Sequence, residues 1–76
     1  MVDIVQQWQE LIDATEALNI DDDPLVIELP DPNDLRMALI AMVLYSSRIQ
    51  AQALGWGIAL DYDEKHLFIK KIRVPN

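Results

Sequence analysis

Over the first eighteen positions apolar residues recur at helical spacing. Ile4, Val5, Trp8, Leu11, Ile12 and Leu18, with Thr15, fall on one stripe, the pattern of a helix with one buried face. Asp3 precedes the stripe and Gln6 follows it by three, the spacing of a capping box. Asn19 predicts a left-handed end, with Ile20 folding back on the last turn. Asp21-Asp22-Asp23-Pro24 then breaks the pattern. Leu25 to Leu29 predict a short strand between Pro24 and Pro30, and the missing proline donors favour an edge position or strand ends.

Asp31-Pro32-Asn33-Asp34 is the strongest local signal. It puts an acid at the N-cap, proline at the first helical position and an acid where the macrodipole favours negative charge. The spacing predicts a helix from Pro32 to about Leu54, closing on Gly55 with Trp56 packing back. Its stretch from Met37 to Leu44 is apolar on every side, which predicts burial on every side. Farther on, Ile58, Leu60 and Tyr62 alternate with Ala59, Asp61 and Asp63. A polar turn from Asp63 to His66 follows, and Leu67 to Val74 return as a second strand. The order is α-β-α-β-β. The fold class this predicts is α+β, with two helices packed on one face of a small three-stranded antiparallel sheet, and residues 1–76 making one compact domain.

Charge changes the picture. The first thirty-five residues carry ten acids and no base; from Arg36 on, six bases face three acids, so halves of −10 and +3 make up the net −7. Such an asymmetry predicts an anionic face that docks on something basic or on a second copy. Glu10, Asp13 and Glu16 stack at three-residue spacing on the exposed side of the first helix, and Asp21, Asp22 and Asp23 continue along the loop that leaves it. No lysine on that helix relieves the repulsion, about 0.2–0.5 kcal/mol for each like pair in an isolated helix. These six are the candidate partner-binding residues, and the later bases are expected to sit over first-half acids.

Composition adds a second expectation. At 51% apolar residues, a 76-residue chain has more apolar side chains than so small an interior readily hides. The belt Met37, Leu39, Ile40, Met42, Val43 and Leu44 predicts a homo-oligomer, with Met37, Ile40, Met42 and Leu44 as its interface.

Other classes find little support. There is no cysteine, hence no disulfide, thiolate metal site or cysteine nucleophile. His66 sits in a turn without the pocket a general base needs, and Ser46 and Ser47 lack a nucleophile elbow. Asp21 to Asp23 are consecutive, with no glycine at the turn, unlike a calcium loop. Lys70 and Lys71 point to opposite faces of a strand, and a net −7 repels phosphate. The longest apolar run, Met37 to Tyr45, is half a bilayer span. The expectation is a soluble cytoplasmic protein without enzymatic activity, cofactor or metal, binding neither nucleic acid nor membrane. It is a small acidic regulator or inhibitor that docks on a basic protein surface. A viral or mobile-element inhibitor mimicking DNA is its concrete form, by analogy of composition and not by a matched motif.

Overall fold

The computed structural model describes residues 3–75. Its elements are α1 (Ile4–Gln7), α2 (Gln9–Glu16), β1 (Leu25–Glu28), α3 (Pro32–Gln52), β2 (Trp56–Tyr62) and β3 (His66–Arg73). The three strands form one antiparallel sheet in the order β1-β3-β2, an α+β architecture. Both helix caps fall on the expected aspartates, although among the described residues Gln6 returns no side-chain bond to Asp3 and the capping box is incomplete. Asp3 accepts a hydrogen bond from the N–H of Val5 at 3.0 Å, and Asp31 from Asn33 at 2.8 Å, with Pro32 opening α3.

Three local expectations are corrected. The first helix is two pieces, because Trp8 leaves helical geometry (φ −106°, ψ 27°). Asn19 does not close it in the left-handed region: α2 ends at Glu16, and the Asn19 N–H donates to the Asp22 carboxylate at 2.8 Å while Asp22 returns a bond to the Asn19 carbonyl. A short acceptor from the aspartate run is thus the cheaper way to turn the chain. At the other end of α3 the left-handed residue is Ala53 (φ 51°, ψ 50°), two positions before Gly55, which itself has φ 84°.

Strand alternation sorts the sheet into two faces. Leu67, Ile69 and Lys71 of β3 are buried, and the register places Ile27, Leu25, Leu60 and Ile58 beside them. On this face lie the helices, whose Ile12, Ala38, Met42, Tyr45 and Ile49 complete the core. The opposite face carries Val26, Ala59, Phe68 and Ile72 and is covered by no helix among the described residues. The molecule is accordingly a thin plate, 36 × 31 × 16 Å.

Candidate functional site

The acidic residues singled out in the sequence all stand on the surface, three on α2 and three in the turn that follows it. Glu10, Asp13 and Glu16 are all exposed on α2, and Asp21, Asp22 and Asp23 are exposed in the turn beyond it. They are not equivalent. Asp13 accepts a hydrogen bond from the Gln9 side chain at 2.9 Å, and Asp22 closes the Asn19 turn. Glu16 accepts from the Tyr45 hydroxyl at 2.9 Å, tying α2 to α3. Burial, then that hydrogen bond, then the charges of Glu16 and Asp13 push the Tyr45 phenol well above its ordinary value, so it stays a neutral donor. Glu10, Asp21 and Asp23 make no side-chain hydrogen bond among the described residues.

The expected pairing of later bases with these acids does not form among the described residues. Among the described residues the halves are joined by one long ion pair, Arg48 to Asp3 at 3.9 Å, both exposed, and such pairs contribute little. Lys71 does reach the first half, but not a carboxylate. Its Nζ donates to the backbone carbonyl of Glu16 at 2.8 Å and lies 4.2 Å from the centre of the Trp56 ring. The ammonium therefore meets the negative end of α2 and an aromatic face, two partners for a cation that is 9% exposed. Strand parity carried the signal: Lys71 shares its side of β3 with Leu67 and Ile69. The anionic band is left without a cationic partner from the described residues.

Beside this band the surface dips. A depression of about 570 Å³ is lined by Trp8, Glu10, Leu11 and Ile27, among others. The indole N–H of Trp8 is buried without an acceptor among the described residues. A buried donor left unpaired costs about 1–3 kcal/mol.

The apolar belt of α3 divides in two. Met42 is fully buried in the core, so it cannot join an interface, and burial on every side does not hold. The helix turns Ala38, Ala41, Met42, Tyr45 and Ile49 inward and leaves Ile40 (41%), Val43 (54%) and Leu44 (46%) exposed, with Met37 half-buried at the margin. Of the predicted interface, Ile40 and Leu44 stand on the surface, and Val43 joins them. Arg36 and Arg48 flank the row on the same helix.

His66 opens β3 and is half-buried, with its Nδ1 2.9 Å from the Asp63 carboxylate. That carboxylate also accepts from the backbone N–H groups of Lys65 at 2.9 Å and His66 at 2.7 Å, so the pair closes a hairpin turn. Across the bare sheet face Phe68, Ala59, Asp61 and Lys70 line a depression of about 360 Å³. Among the described residues there is no group of three histidines or acids placed to hold a metal ion, and no helix long and apolar enough to cross a membrane. The chain matches no protein-family model, no curated protein and no solved structure.

Proposed function

We propose that this protein is a small binding regulator or inhibitor that docks its anionic band on a basic surface of another protein. The observation that carries the reading is the band itself. Glu10, Asp13, Glu16 and Asp21 to Asp23 are exposed along one helix and its exit turn, and among the described residues none of their carboxylates is in an ion pair: Arg48 meets Asp3, and Lys71 meets the Glu16 main-chain carbonyl. An unneutralised band on a protein of net charge −7 raises the encounter rate with a cationic patch and repels polyanions. Carboxylates in such a row can occupy the place of nucleic-acid phosphates on a basic groove, the behaviour of a DNA mimic from a virus or mobile element.

The test uses Glu10→Gln, Asp13→Asn and Glu16→Gln together, with Asp61→Asn as control. Host proteins captured by the immobilised wild type at about 50 mM salt should be released at about 500 mM, since exposed charges are screened within about 8–10 Å at physiological ionic strength. The triple variant should bind the recovered partner with a slower on-rate, and the control should not. Equal binding by all three would reduce the band to a solvated surface.

A second reading, self-association in the cytoplasm as a structural or assembly module, is favoured by the exposed row Ile40, Val43 and Leu44. Three neighbouring aliphatic side chains on one helix face form the kind of patch that marks an interface.

A further inference from the structure

We propose that the unpaired edge of β2 is the surface through which two copies of this chain join, giving a continuous six-stranded antiparallel sheet. The inference rests on the self-association reading and moves its centre from the exposed face of α3 to the sheet edge beside it.

The two edges of the sheet differ. β1, four residues long, lies between Pro24 and Pro30, a short edge with proline guards. β2 has seven residues and contains neither proline nor lysine. Its backbone polarity follows from two bonds at the hairpin's ends: Asp63 N–H to the His66 carbonyl at 3.0 Å, and Val74 N–H to the Gly55 carbonyl at 3.1 Å. Antiparallel alternation between them turns residues 57, 59 and 61 toward β3 and leaves Trp56, Ile58, Leu60 and Tyr62 with N–H and C=O directed outward. The Tyr62 N–H is held by the Asp61 carboxylate at 2.8 Å. The other three outward N–H groups bond to no other element among the described residues.

A second copy fits this edge better than a foreign strand because β2 is complementary to itself. With a two-fold axis at Ala59, Ile58 pairs with Leu60 of the other copy and exchanges both backbone bonds with it. Trp56 pairs with Tyr62 and donates to its carbonyl, so the Asp61 bond can stay. All four side chains lie on the helix-covered side, where they are half-buried or, for Tyr62, 62% exposed. Apolar cross-strand pairs of this kind stabilise a sheet. On the other face Asp61 meets Gly57 and Ala59 meets Ala59, so no like charges oppose one another.

The helical layer agrees. Leu35, Arg36 and Leu39 of α3 share a depression of about 370 Å³ with Tyr62. Val43 follows one turn beyond Leu39 on the same side of α3 and is exposed. Joining the edges brings the Leu39–Val43 side of each α3 over the junction. An antiparallel contact between the outer faces of two α3 helices, centred on Ile40 and Leu44, would instead set Arg36 against Arg48. The accessible surface, 5234 Å², also exceeds the about 4,700 Å² expected of a monomer of this mass.

Because the chain has no cysteine, a single introduced thiol reports on the axis. Opposed residues of a non-hydrogen-bonded antiparallel pair lie about 4.5 Å apart between Cα atoms, inside the about 4.4–6.8 Å a disulfide spans. Ala59→Cys should oxidise to a covalent dimer, whereas Ala14→Cys, exposed on α2, should stay largely monomeric on a denaturing gel. Light scattering of the unmodified protein at about 100 µM should give twice the 8.7 kDa of one chain. A dimeric mass in which Ala59→Cys cross-links no faster than Ala14→Cys overturns edge pairing and leaves self-association through another face. A monomeric mass overturns both and leaves the edge open to a strand of a different protein.

Discussion

Ala53 and Gly55 show how much depends on single backbone angles. Ala53 ends α3 in the left-handed region and is exposed, so its methyl group meets the steric penalty of that conformation, about 1–2 kcal/mol. Glycine avoids the penalty but loses more entropy on folding, so Ala53→Gly should stabilise the protein by about 0.5–1 kcal/mol. At Gly55, φ is 84° and an added Cβ would meet nothing within 4 Å. Gly55→Ala should therefore destabilise through backbone strain alone, by about 1–2 kcal/mol. Paired denaturant melts of the two variants check both signs, and a loss at Ala53→Gly would mean that the terminal turn is relaxed. Lys71 and Thr15 make a different point at the same scale. Each is a buried polar side chain whose donor reaches a main-chain carbonyl, Glu16 at 2.8 Å for Lys71 and Leu11 at 2.8 Å for Thr15, which is how a core accepts them.

At the scale of elements the β2–β3 hairpin is organised by one carboxylate. The hydrogen bond from the Lys65 N–H, then those from the His66 ring and N–H, outweigh the opposing effect of desolvation and hold Asp63 below its ordinary 3.8. A carboxyl depressed by folding contributes stability that is present in full above its unfolded value and is lost as pH falls through the folded one. The hairpin should thus weaken on acidification below pH 3.8. Asp63→Asn should melt lower than the wild type at pH 6, and the gap should narrow as pH drops toward 2. A gap independent of pH would show that the turn depends on the shape of the carboxyl group and not on its charge. The helical elements are joined by polar ties as well as by packing: Tyr45 to Glu16 between α3 and α2, and Lys71 from β3 to the end of α2.

For the whole molecule, net charge and thinness dominate. Ten acids of the first half are met by a single long ion pair among the described residues, so the folded state carries self-repulsion that salt should relieve. The melting temperature should rise between about 20 and about 500 mM sodium chloride. The rise should be smaller in the triple variant at Glu10, Asp13 and Glu16, which should also be at least as stable as the wild type at low salt. Equal salt responses in thermal melts would mean that the band is too dispersed to strain the fold. A single layer of helices covers one face of the sheet, and Val26 and Ile72 stay exposed on the other.

By itself the sequence determined the elements whose cause is local. The Asp31-Pro32 start of α3, the Asp3 cap, the hairpin around Asp63 and the order α-β-α-β-β need only neighbouring residues, and the α+β class follows from burying their stripes together. The strip of acids on α2 was legible for the same reason, because helical spacing places residues 10, 13 and 16 on one side. Tertiary structure decided what depends on a neighbour from elsewhere in the chain. Met42 and Leu44 are both aliphatic residues of one helix, yet only the sheet's position makes one core and the other surface. Lys71 was a surface base by composition until strand parity and the end of α2 enclosed it. The strand order β1-β3-β2 put β3 in the centre and left β2 as an edge opposite the proline-guarded β1. Hydrophobic and hydrogen-bonding patterns along a chain specify which side of an element seeks cover, but the cover itself is supplied by residues tens of positions away.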